Sequence, residues 1–276
     1  MIVSVAFVFS GMEKSTAQFV NDGIYVKENA PGRKPLPYPY LREADVYWQK
    51  RIWRIIDLRE KMNHPLYYPT TPIGGRLSLF DLILWGVKNA GLQVYSADDD
   101  EFKVPVGYNY IESQFGAGTD TIEITNSQTG EIIRKVVEKG INSDEVKQYL
   151  IKEDWYFDRK YSMMKVRIIG ICPIRITEED VNGVITQRKK LTFWIYFDEA
   201  RRIFANNEVY NPKNEAQRLT FDDYFQQRLF SSYIFKESNV YNNRIITQYA
   251  NGIYSLYESD RIKNEIANIE QDMWEY

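Results

Sequence analysis

The 276-residue sequence holds one histidine and one cysteine, and those two scarcities remove most catalytic chemistry before any motif is sought. Every Ser-His-Asp or Cys-His mechanism would have to run through His64. That residue falls between Asn63 and Pro65 at the expected end of a helix, where the C-terminal dipole favours an imidazole for structural reasons. Zinc sites are built from clustered His and Cys, and one of each far apart gives no such pattern. Cys172 can form no internal disulfide, and its neighbours Ile168, Ile169, Ile171 and Ile174 predict a buried, inert thiol. Basic excess is also missing. With 35 Lys+Arg against 38 Asp+Glu the net charge is -3, so no global field attracts nucleic acid. Long apolar runs are absent as well. Ile2 to Phe9 is too short to span a bilayer and Leu77 to Val87 carries Asp81, so direct membrane insertion is not expected.

The short N-terminal run has a different reading. Ser15 and Ala17 fit the small-x-small pattern before a signal-peptidase cut, making residues 1–17 a signal peptide whose missing basic start suggests a truncated beginning. A buried N-terminal strand is the alternative. Because Cys172 lies far from the cut, the chain is not itself acylated there, and any membrane attachment must come through a partner. Residues 18–42 form a Pro-rich arm with Pro31, Pro35, Pro37 and Pro39, biased to polyproline II. It is either a tether strapped across a neighbour or an unstructured leader.

Residues 43–276 read as one α+β domain, a central antiparallel sheet with flanking helices. Glu43 to Met62 is expected to be a helix, on the spacing of Ala44, Trp48, Ile52, Ile55, Ile56 and Met62. Leu77 to Asn89 is a second helix, with Ser78 near its start and Gly91 as C-cap. Thr121 to Thr125 and Glu131 to Val137 are strands joined by a turn at Asn126-Gly130. Ser143 to Ile151 is expected as a short helix. Lys165 to Ile176 and Leu191 to Phe197 are strands, the first interrupted by Pro173 at an edge or bulge, and Asn182-Gly183 between them predicts antiparallel pairing. Thr220 to Asp223 is a capping box opening a helix through Phe221, Phe225, Leu229 and Tyr233. A last helix carries Ile262, Ile266, Ile269 and Met273.

What the chain has in excess is aromatics, 21 Tyr, 14 Phe and 6 Trp, which suit protein contact surfaces. Three polar clusters invite chemistry. Asp98-Glu101 offers oxygen ligands without EF-hand spacing, and reads as a solvated acidic loop. Gly116-Ala117-Gly118-Thr119 lacks the lysine of a P-loop and precedes strand-like sequence, so no cofactor is expected. Glu153-Asp154-Trp155-Tyr156-Phe157-Asp158 sets acids beside aromatics that could stack on sugar rings; its simpler reading is a helix end entering a strand, with Trp155 and Phe157 in the core.

Three blocks resemble the GldN/PorN family: Tyr47 to Pro69; Glu153 to Ile174; and Trp194 to Arg202, continuing through Asn206 to Asn211 and Thr220 to Phe225. The resemblance implies a periplasmic, non-enzymatic subunit of the type IX protein secretion and gliding motility machinery. It further implies self-association in a ring, with a GldK/PorK-type outer-membrane lipoprotein as partner and contact with the periplasmic part of the GldL/GldM motor. The resemblance implies no catalytic residues. For such a subunit the expected interface residues are Pro35, Pro37, Tyr38 and Tyr40 on the arm, with Trp53, Arg54, Tyr67, Tyr68 and Tyr210 exposed on the domain. The competing reading is a periplasmic glycan-binding or carboxylate-based glycan-active protein using Glu153 to Asp158.

Overall fold

Two long strands form the middle of the molecule, and the sequence patterning disguises both. In the computed structural model, which describes residues 32–73, 75–125, 132–181, 184–214 and 216–273, the expected first helix is instead β1, Val46–Asp57. From Ile52 to Asp57 every residue is buried, because both faces of the strand are covered. Two-sided burial erases the period of two, and Ile52, Ile55 and Ile56 then mimic helical spacing. Three isoleucines and two tryptophans suit a strand better than a helix. The short helix expected at Ser143 to Ile151 is likewise corrected: a 3-10 turn at Ser143–Glu145 leads into β6, Val146–Asp158, which is buried on both faces too. The signal peptide and the first part of the arm lie outside the described residues.

After β1 come α1 (His64–Tyr67), α2 (Leu79–Asn89), β2 (Val94–Ser96), β3 (Pro105–Val106) and α3 (Tyr108–Phe115). The Ser78 side chain caps α2 by accepting from the Asp81 N–H, and Gly91 beyond its end has φ +65°, as its sequence foretold. β4 (Gly118–Thr125) and β5 (Ile132–Lys139) pair as a separate two-stranded sheet. The turn expected between them at Asn126-Gly130 lies outside the described residues. β7 (Met163–Val181) pairs antiparallel with β8 (Val184–Leu191) across the predicted hairpin, then with β9 (Phe193–Tyr196). Pro173 is therefore not on an edge. Its carbonyl accepts from Thr192 N–H at 3.1 Å, where the partner of β7 changes from β9 to β8, so the missing donor falls where the ladder is already broken.

α4 (Phe197–Phe204) and α5 (Phe221–Gln226) follow, the latter closed by the predicted box between Thr220 and Asp223. That helix is shorter than expected: Leu229 lies beyond it, and Tyr233 begins β10 (Tyr233–Glu237). α6, Ile253–Asp272, buries Ile262 and Ile266. The main sheet runs β10-β1-β6-β7-β9-β2-β3, with β8 beside β7.

Alternation assigns the two faces. One face carries Ile56, Tyr149, Ile151, Ile171, Phe193 and Ile195 beneath the helices α2 to α5, and Ile52 and Ile234 beneath α6. The other carries Trp53, Ile55, Leu150, Cys172 and Trp194. On that second face Phe102 lies edge-on to Tyr95, Trp194 and Tyr196, with centroids 5.5–5.9 Å apart. Gly170 makes room for it, since a Cβ there would sit 2.5 Å from Phe102 Cζ.

Candidate functional site

The sequence-predicted interface residues separate into three places. Trp53 and Arg54 are not exposed, contrary to expectation. Trp53 is 3 % exposed and holds Lys236 Nζ 3.9 Å above its ring, while Arg54 donates from Nε to Ser232 Oγ at 2.8 Å and from a terminal nitrogen to the Ser232 carbonyl at 3.0 Å. Their strand lies inside the sheet, between β10 and β6, so both side chains are engaged within the domain.

The described part of the arm, from Arg33 on, lies against its own domain. Tyr38 sits between two guanidinium groups, Arg167 4.2 Å and Arg201 4.3 Å from its ring centre, and its hydroxyl accepts from Gln226 Nε2 at 3.1 Å. Arg201 is fixed from below by the buried carboxylate of Asp222, at 2.9 and 3.2 Å, and donates upward to the Leu36 carbonyl at 2.7 Å. Burial raises the Tyr38 phenol above its ordinary value, so it remains protonated in this seat. Pro35 is half-buried, whereas Pro37 and Tyr40 face solvent, Tyr40 at 85 %. The arm thus offers outward only part of what its sequence advertised. Arg167, Arg201 and Asp222 carry no sequence signal for this role, since the contact joins Leu36 to Arg201 across the chain.

Tyr67, Tyr68 and Tyr210 do come together, around an open groove of about 550 Å³ where β1 ends and β6 begins. The rings of Tyr68 and Tyr210 are 4.8 Å apart, and the Arg76 guanidinium stands 5.6 Å from the Tyr210 ring centre. Leu58, Pro65 and Pro212 complete the apolar lining, and Arg59, Lys61 and Lys147 give its charge; none of the lining residues is acidic. Tyr67 donates to the Asp144 carboxylate at 3.0 Å. Sequence reasoning missed Lys147 because it was assigned to a helix and not to the start of a strand.

The base of this groove is rigid for identifiable reasons. Asn63, fully buried, donates to the Asp57 and Ser231 carbonyls at 2.8 and 2.9 Å and accepts from the Ser231 N–H at 2.9 Å. Burial would raise the Asp57 carboxyl, but donation from Arg59 and from Gln148 at 2.8 Å outweighs it and holds the group at about 2. His64 opens α1 and faces solvent on the groove wall, so the expected placement at a helix C-terminus, with its dipole, is corrected: a strand and a 3-10 turn precede it.

Elsewhere the chemistry-bearing clusters are occupied by the fold. Glu153 to Asp158 lie within β6, not at a helix end. Glu153 and Asp154 point to opposite faces, so they cannot flank one glycosidic bond. Glu153 is fully buried against Arg228 at 3.0 Å and accepts from Trp155 Nε1 at 3.0 Å; Asp154 pairs with Arg51 at 2.7 Å and Asp158 with Lys165 at 2.7 Å. Phe157 is buried and Trp155 packs against the cluster under α6. Asp100 in the acidic loop faces Lys152 at 3.6 Å and Lys236 at 3.3 Å. Gly116, with φ +59°, ends α3, and Gly118, with φ +142°, starts β4. Cys172 is buried, and its thiol is pushed up to about 12 by burial. Among the described residues no helix is long and apolar enough to cross a membrane.

No curated protein matches the chain. A family model described as "Gliding motility associated protein GldN" matches residues 41–275, from the last arm residues to the end of α6 and beyond. That match takes in the whole described domain, and the chain therefore belongs to the GldN family of gliding-motility-associated proteins.

Proposed function

We propose that this protein is a non-enzymatic structural subunit of a periplasmic ring, assembled with an outer-membrane lipoprotein, in type IX protein secretion and gliding motility. The family match across residues 41–275 carries this reading. Support also comes from the groove, lined by exposed Tyr68, half-buried Tyr67 and Tyr210 and by Arg59, residue types that anchor protein contacts. A ring subunit needs a head-to-tail contact that closes, plus a separate face for the lipoprotein. The lipoprotein supplies the membrane anchor, and the periplasmic part of the motor meets the assembled ring. The glycan reading loses its support in the occupied carboxylates of β6, which are held by Arg228, Arg51 and Lys165.

Affinity capture of the tagged chain from native membranes tests the assignment. Recovery of one lipoprotein in a high-mass complex is the expected result. A monomer that instead retains peptidoglycan fragments would overturn it.

A further inference from the structure

The groove beside Tyr68 and Tyr210 is apolar in its floor and cationic in its rim, and two of its cations are unspent. Among the described residues Lys61 and Lys147 make no ion pair and no side-chain hydrogen bond, and no carboxylate lines the groove. Such a site fits an acidic peptide carrying aromatic side chains. The chain's own Pro-rich arm does not qualify. It carries Arg33 and Lys34, and Tyr38 is already seated between Arg167 and Arg201.

Of the acid-rich stretches in the sequence, Glu153 to Asp158 is occupied within β6 and Asp98-Glu101 is matched by lysines. The stretch Glu270-Gln271-Asp272-Met273-Trp274-Glu275-Tyr276 is different. It holds three acids, no base, and the side chains of Met, Trp and Tyr. Glu270 and Asp272 form no ion pair among the described residues, and both follow the last buried residue of α6.

That stretch cannot reach the groove of its own molecule. The Ile234 N–H donates to Ser259 at 2.8 Å opposite Arg54, and Glu265 lies 3.9 Å from Lys50, so α6 runs along β1 away from Leu58. The eight residue steps from Lys50 to Leu58 span about 26 Å. Asp272 lies about 10 Å farther along the helix. Residues 273–276, fully extended, cover at most about 14 Å.

We propose that residues 270–276 of one molecule dock into the Lys61–Lys147 groove of a second copy, tryptophan and tyrosine against Tyr68 and Tyr210, carboxylates against the lysines. Donor and acceptor lie at opposite ends of β1, so the contact is heterologous and repeats from molecule to molecule until it closes. This inference rests on the ring reading and names a contact within it.

The test uses the full chain with His64→Cys and Gln271→Cys, oxidised during assembly, since buried Cys172 does not compete. Intermolecular disulfide ladders are expected from the double variant and not from either single one. Adding Lys61→Glu and Lys147→Glu should cut the ladder about tenfold, as a loss of roughly 1.4 kcal/mol would. Adding Glu270→Lys and Asp272→Lys to those should restore it, a rescue that misfolding cannot produce. No ladder, or a ladder indifferent to charge reversal, overturns the proposal. If the chain then still enters a high-mass complex with the lipoprotein, the docking contact alone is wrong; if it stays monomeric, the ring reading falls with it.

Discussion

Asp57 shows how single side chains build the groove without touching a partner. It holds Arg59 and Gln148 at the strand end, and Arg59 in turn forms part of the groove rim. A carboxyl held at about 2 when folded contributes stability that is complete above its unfolded value near 3.9 and is lost as pH falls through about 2. Asp57→Asn should destabilise the domain by about 1–3 kcal/mol at neutral pH. The gap from wild type should close between about pH 4 and pH 2 in urea unfolding. A gap that stayed constant over that range would contradict the assignment. Gly170 makes a steric case of the same kind. Gly170→Ala forces the Phe102 ring off the strand and should cost about 1–3 kcal/mol. Combining it with Phe102→Ala should cost less than the sum of the single changes, because the clash is gone. Additive losses in thermal unfolding would mean that the two residues do not meet. Arg201→Ala is expected to be the harsher change, about 3–5 kcal/mol, because Asp222 would be left buried without its partner.

Among the elements, legibility followed local chemistry. Ser78 before α2, the Thr220-Asp223 box and the Asn182-Gly183 hairpin signal were readable because each depends on residues within a few positions. β1 and β6 were not readable, since burial on both faces is decided by helices and loops distant in sequence. Their ion pairs, Arg51 with Asp154 and Glu153 with Arg228, made charged residues look like surface positions when they lie within the sheet. The groove was half legible. Its tyrosines stood out as an aromatic surplus, but the meeting of Tyr68 with Tyr210 joins residues far apart in sequence, and the arrival of Lys147 depends on the pairing of β6 with the end of β1. The seat of Tyr38 on Arg167 and Arg201 was not legible, since both arginines are far from the arm in sequence. Tyr38→Ala removes two cation–π contacts, together about 1.4 kcal/mol or a factor of ten in the released population. Trypsin should therefore cut after Arg33 about tenfold faster in that variant, with little change in the melting temperature of the domain. Unchanged cleavage would show that Tyr38 does not hold the arm.

At the scale of the molecule, the length of β1 separates the groove at one of its ends from the far end of α6 beyond the other. A body with two unlike ends suits repeated head-to-tail assembly better than a two-fold dimer, in which one patch would have to match itself. Among the described residues most phenylalanines are inside, and Phe193, Phe197, Phe204, Phe221 and Phe225 stiffen the body under the helices. The outward tyrosines are then left for contacts. A structural part that spaces or transmits needs a rigid body with sticky ends, and no catalytic constellation enters that requirement. Electron microscopy of the complex purified through a tag on this chain decides the matter most directly. Closed rings containing the chain together with a lipoprotein are the predicted result, whereas isolated monomers at every concentration and extraction condition would contradict the proposed role.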